Sequence, residues 1–291
     1  MTGIRRNAKN LTAAQKQEFV SACYAVKANG AWDKLTLVHA QMSVMMTPAG
    51  SERSQPHGGP AFLPWHRYFT YLMELELQKA SGNSSLGIPY WDWTVDGASS
   101  SIWGDDFLGG NGDTSDGSYA LKTGPFSFGK WTAINESGNP IRYPDGKFTG
   151  TLKRRFGYDV GSLPTTTDLN TGLYIRTYDT SPWSRESIGS HRNALEGYTN
   201  APQLHNRVHR WVGQSMRTNV APNDPVFYLH HSQVDRIWAR WQTGNGTTNY
   251  VPTGTGPYHH NAQDPMMPWD RTPASVLDYV RDLDYTYDAL R

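Results

Sequence analysis

Ten histidines stand in the 291 residues, at 39, 57, 66, 191, 205, 209, 230, 231, 259 and 260. His205 and His209 are four apart in a stretch whose pattern predicts a helix over 202–216, so both imidazoles share one face, one turn apart. That geometry can hold one metal ion, although a pair alone is a weak signal. A third nitrogen is offered by the next predicted helix, over 225–242, through His230 or His231. Its most apolar stripe runs through Phe227, His231, Val234, Trp238 and Trp241, while the stripe through Val226, His230, Gln233, Ile237 and Arg240 is more mixed. The phase favours His231 as the inward imidazole and His230 as a structural neighbour. For an isolated pair the plainer alternative is two ordinary helix residues with satisfied rings.

The N-terminal half holds a second set. His39 lies on the apolar face of one predicted helix, His66 in the first turn of another, and His57 in the loop between them. Six neutral imidazoles with no thiolate and no obvious carboxylate suit copper or zinc and argue against calcium or magnesium. Non-haem iron usually takes a carboxylate as well. An all-nitrogen pair of sites fits copper cycling with dioxygen better than it fits hydrolysis.

These residues need helices to aim them. Thr12 and Gln15 form a capping-box pattern, Phe19, Cys23 and Val26 follow at helical spacing, and Asn29-Gly30 ends the run. A second helix is expected from Trp32 to about Met45, with Trp32, Leu35, His39 and Met42 on one face. Residues 47–60 read as loop. A third helix starts near Pro64, carries His66, Phe69, Met73 and Leu77 on one stripe, and ends by Ser81-Gly82. From Gly87 to about Pro182 no long helical period occurs, which predicts irregular loop with a few short strands, of a length usually tied to function. Asp224-Pro225 opens the helix of His230 and His231, with Asp at the cap and Pro in the first turn. A short helix is expected over 273–281. No repeat and no linker divides the chain, so it reads as one mainly α domain over 1–291 with long decorating loops.

Composition narrows the classes further. Lys and Arg number 27 against 26 Asp and Glu, a net charge of +1, which gives no reason to expect a nucleic-acid or membrane partner. One cysteine, Cys23, excludes an internal disulfide framework and any four-cysteine metal site. It is most simply a buried small residue. No apolar run approaches the ~20 residues of a membrane span. Arg5-Arg6 has no apolar stretch behind it and is not by itself an export signal. Localisation stays open between the cytoplasm and export with a partner. Eleven Trp and 16 Tyr within a hydrophobic fraction of only 37% predict a core of few, bulky aromatics.

Four segments taken together resemble the type 3 copper proteins, and among them the bacterial tyrosinases. They are Phe62-Leu63-Pro64-Trp65-His66-Arg67, Pro89-Tyr90-Trp91-Asp92-Trp93, Leu204-His205-Asn206-Arg207-Val208-His209, and Asn223 through His231. The resemblance runs from the first helix to Tyr285-Thr286-Tyr287-Asp288. It implies a four-helix bundle around two coppers. His39, His57 and His66 would hold the first, and His205, His209 and His231 the second, with dioxygen as co-substrate. Gln55 and Pro56 stand where many fungal and animal members carry a cysteine cross-linked to the loop ligand, so that thioether is absent here. The chain stops about where the catalytic core of such proteins does, so no C-terminal covering domain is expected. A separate caddie-type copper chaperone serves some bacterial members and is a candidate partner.

The activity implied is ortho-hydroxylation of small monophenols and oxidation of o-diphenols to o-quinones, with melanin-type pigment precursors as default products. Glu196 and Asn206 match positions thought to hold a water that deprotonates the phenol. For Glu196 a structural carboxylate orienting a ligand is an equal alternative. His209 would stack near the substrate ring, Arg210 would shape the entrance, and Phe227 would pack against ligand rings and limit access. Asp224 is most simply a helix cap. The rivals are a catechol oxidase or o-aminophenol oxidase with weak or no first step, and, from another class, a haemocyanin-like oxygen carrier. The short chain argues against the carrier.

Overall fold

The computed structural model describes residues 3–198 and 202–290. A short strand β1 (Gly3–Arg5) leads into α1 (Ala13–Ala28), which begins as its sequence dictates. Thr12 Oγ1 accepts from Gln15 N at 3.3 Å, and Gln15 Oε1 accepts from Thr12 N at 2.9 Å. Helix α2 (Ala31–Val44) buries Trp32, Leu35, His39 and Met42, and α3 (Phe62–Ser81) buries His66, Phe69, Met73 and Leu77. Both faces are the expected ones.

The segment 87–182 differs from expectation. Among the described residues it contains no strand, only isolated bridges such as Ala120 with Lys153, and it does contain a helix, α4 (Thr166–Tyr174). That helix opens on a capping box of Thr165 and Asp168, the same device as in α1, here set in a polar run without apolar period. A further short helix, α5 (His191–Glu196), follows a Ser190 cap. The long loop is a packed structure. Trp103, Phe107 and Trp131 are buried, and Arg154 holds Asp224 with two hydrogen bonds, of 2.8 and 2.7 Å.

The helix expected over 202–216 is shorter. α6 (Leu204–Val212) stops at Gly213, whose φ is +76°, and a 3-10 turn, Gln214–Arg217, continues. A side chain at Gly213 would be strained by its φ and would lie 3.1 Å from the Arg155 carbonyl. Helix α7 (Val226–Asn245) is buried at every position from Val226 to Ala239, as expected of a central helix. The helix expected over 273–281 is split into a 3-10 turn, Pro273–Val276, and α8 (Tyr279–Leu283).

A terminal strand β2 (Tyr285–Tyr287) pairs in parallel with β1, a link the sequence analysis missed. It encloses a buried charge network. Arg5 Nε meets Glu74 at 2.8 Å and its Nη1 meets Asp235 at 3.0 Å, while Asp235 also takes Arg67 and the hydroxyls of Tyr285 and Tyr287, each at 2.5 Å. Every charge in it has an opposite partner, which is the condition for burying ions. The bundle of α2, α3, α6 and α7 is thereby closed at both chain ends.

Candidate metal centre

The histidines converge on the bundle interior. His39 from α2, His66 from α3 and His57 from the loop between them bring one ring nitrogen each to within 4.8 Å of one another. Their ring centroids are 5.1–5.8 Å apart. His205 and His209 from α6 form a second cluster with His230 and His231 from α7, by the same distance measure. The clusters meet where His66 stacks on His231, at 4.3 Å between centroids.

Backbone carbonyls set the tautomers. His39 Nδ1 donates to Asn219 O at 2.7 Å, His66 Nδ1 to Phe62 O at 2.9 Å, and His209 Nδ1 to Met216 O at 2.5 Å. His205 Nδ1 lies 2.9 Å from Asn206 Oδ1 and 3.3 Å from Glu196 O. With the proton on Nδ1, each ring presents the lone pair of Nε2. The Nε2 atoms of His39, His66 and His209 are buried with no hydrogen-bond partner, and those of His205 and His231 have only each other, at 3.3 Å. Buried acceptors without partners are rare in native proteins. Here they fit a soft-to-borderline cation with nitrogen ligands, and the fit to copper is chemical as well as spatial.

Burial also keeps the rings neutral. It pushes His39 and His209 down to about 4, and His57, His66, His205, His230 and His231 well below the ordinary value, the last five helped by neighbouring imidazoles. Neutral imidazole is the form that binds metal.

His230 lies within the second cluster as well. It is fully buried, stacks on His205 at 5.0 Å, and both its ring nitrogens lack a hydrogen-bond partner. Because α7 is enclosed on all sides, a stripe analysis loses its contrast there.

The rings of His39, His57, His205 and His209 form part of the wall of a cavity of about 440 Å³ that opens to solvent, with Asn206 and Arg210 beside them. Phe227 is absent from that wall. It sits beneath the rings, 4.1 Å from His231 and 5.2 Å from His39 between centroids, and packs against these imidazoles as expected. Glu196 is also behind the wall. Its Oε1 accepts from Gly58 N at 2.7 Å and its Oε2 from Arg192 at 3.0 Å. Burial pushes this carboxyl up to about 7, against the opposing pull of Arg192 and the Gly58 N–H. Asp224 caps α7 weakly, through Val226 N at 3.1 Å, and serves mainly as the partner of Arg154. Cys23 is buried, as expected.

Among the remaining histidines, His191 stacks on Trp241 and donates to Gly172 O, and His259 contacts Pro265 O. His260 holds the loop of the first cluster. It is fully buried, its Nδ1 accepts from Ala61 N at 3.2 Å, and its Nε2 donates to Thr47 Oγ1 at 2.7 Å. One ring thus ties both ends of the loop that carries His57. A Cβ on Gly59 would lie 2.9 Å from that ring. His260 sits in an irregular segment with no periodic pattern, so no sequence signal marked it.

A helical bundle with two facing clusters of buried imidazoles at one open cavity defines a dinuclear copper protein of the type 3 class. Comparison with known proteins agrees. The common central domain of tyrosinase matches residues 29–244. The tyrosinase of Streptomyces antibioticus is 41% identical, with 98% of this chain and 99% of that protein covered, and the tyrosinase of Streptomyces glaucescens is 42% identical, with 98% of each covered. Among solved structures, a polyphenol oxidase from Thermothelomyces thermophila superposes with a TM-score of 0.72 at 21% identity, covering 99% of this chain and 89% of that one. The chain belongs to the tyrosinase family, whose copper pair works with dioxygen.

Proposed function

We propose that this chain ortho-hydroxylates small monophenols and oxidises o-diphenols to o-quinones, with His39, His57 and His66 holding one copper and His205, His209 and His231 the other. The observation that carries this is the set of neutral imidazoles beside an open cavity, with the Nε2 atoms of His39, His66 and His209 lacking any partner and those of His205 and His231 facing each other. His231 is preferred to His230 because its Nε2 points at that of His205 and its ring lies against His66. When bound, the two coppers supply electron exchange with dioxygen. The cavity of about 440 Å³ has room for a single-ring phenol.

The protein's own work is positioning and proton handling. A monophenol must lose a proton whose pKa is near 10. Asn206 lines the cavity and its Oδ1 holds His205 Nδ1. The Glu196 carboxylate stands behind Gly58, next to His57, with lone pairs beyond its two partners. Together they hold the water that receives the phenolic proton. A catechol is more easily deprotonated and leans on that base less. A general base contributes ~10²–10⁴-fold. Glu196→Gln and Asn206→Ala are therefore expected to lower monophenol hydroxylation far more than diphenol oxidation, with copper content intact. Equal losses at full copper occupancy would leave Glu196 as a structural carboxylate only.

A further inference from the structure

The mouth of the cavity carries charge that the imidazole chemistry does not use. Arg185, Arg210 and Arg217 line it, and among the described residues no Asp or Glu does. Arg217 is paired, at 2.8 Å from Asp159. Arg210 reaches only the backbone carbonyl of Asp159, at 3.4 Å, and keeps its charge uncompensated. Arg185 makes no ion pair among the described residues, and its Nε is buried with no hydrogen-bond partner. The nearby acids are engaged elsewhere. Asp179 and Glu196 are both held by Arg192, and Glu136, outside the lining, accepts from Asn219 at 3.1 Å.

Arg185 is also fixed in place. Its guanidinium carbon lies 4.6 Å from the centre of the Tyr198 ring, its backbone carbonyl accepts from Asn193 Nδ2 at 2.9 Å, and its side chain lies against Gly58, where a Cβ would come within 3.1 Å of Nε. The guanidinium also hydrogen-bonds the Tyr198 side chain, and a guanidinium held in this way has further Nη donors that suit a carboxylate. Gly58, against which it lies, adjoins His57, and both Arg185 and His57 line the cavity.

We infer that Arg185 is a specificity-determining residue that receives a carboxylate, so that phenols and catechols with a short acidic tail are preferred over those with an amine. This rests on the phenol-oxidising reading of the same cavity. Low-dielectric walls focus such a field, and salt screens it.

The test uses the copper-loaded full chain, with copper content measured on every sample. kcat/KM is compared for 3,4-dihydroxyphenylacetate, dopamine and uncharged 4-methylcatechol, at low salt and at about 0.5 M salt. The acid is expected to exceed the amine by ~10-fold or more at low salt, with the gap narrowing in high salt. In Arg185→Gln the acid-to-amine ratio is expected to collapse toward ~1, chiefly through KM for the acid, and Arg185→Lys is expected to restore part of it. If 4-methylcatechol is not oxidised by the copper-loaded protein, the phenol-oxidising reading fails. If it is oxidised but the acid-to-amine ratio is near one, or survives Arg185→Gln at full copper and disappears only in Arg210→Gln, the assignment to Arg185 is overturned.

Discussion

The imidazoles of this site are specified one nitrogen at a time. A carbonyl at 2.5–2.9 Å fixes the proton on Nδ1 of His39, His66 and His209 and leaves Nε2 for the metal. Single Ala replacements of His39, His57, His66, His205, His209 or His231 are expected to drop copper below two per chain and abolish oxidase activity together. Metal analysis and an oxygen electrode on the same samples check this. His230→Ala is the discriminating variant and is expected to keep two coppers. Loss of copper in His230→Ala with retention in His231→Ala would exchange the two assignments. The six candidate ligands were legible because helical spacing and loop position placed them, with family motifs fixing the set. The closeness of His230 was not legible, because periodicity separates faces only on a helix that has an exposed one, and α7 has none between Val226 and Ala239.

At the scale of elements, the loop between α2 and α3 is held from outside the bundle. His260 pins Thr47 and Ala61, and Glu196 pins Gly58, so His57 is aimed by residues more than 130 positions away. Removing the ring leaves the Ala61 N–H without its acceptor, a cost of about 1–3 kcal/mol when buried. His260→Ala, and independently Gly59→Ala, which drives a methyl into that ring, are expected to weaken copper binding at the His39–His57–His66 cluster while the other cluster keeps its metal. Chelator titration followed by metal analysis would show one labile copper per chain. Two coppers of unchanged affinity in both variants would contradict this. Helices α1, α2, α3 and α7 were readable from caps and apolar stripes. α4 and α5 were not, since nine and six residues in polar surroundings give too few turns for a period to emerge.

On the scale of the whole molecule, burying so many neutral histidines makes stability depend on pH. His39, His191 and His209 are held down at about 4 and His260 at about 3, against 6.5 when free. Between those limits the unfolded chain binds more protons, so stability is full above pH ~6.5 and falls as pH drops toward ~4. His191, outside both clusters, would by itself account for about 3 kcal/mol. Glu196, raised to about 7, offsets part of this with the opposite sign. The metal-free protein is expected to show a thermal midpoint that is flat above neutrality and declines steeply from pH ~6.5 to ~4, and a flat profile over that window would contradict the burial argument. The mainly α class was legible in the sequence. The β1–β2 closure was not, because three-residue strands at opposite ends of a chain carry no local pattern that pairs them. The central claim is that both clusters act together on one oxygen-using centre. Stepwise copper titration of the metal-free chain, read by catechol-dependent oxygen uptake, tests it most directly. The expected result is activity that reaches its plateau at two copper equivalents per chain, with none restored by zinc. A plateau at one equivalent, or full activity with either cluster deleted, would contradict it.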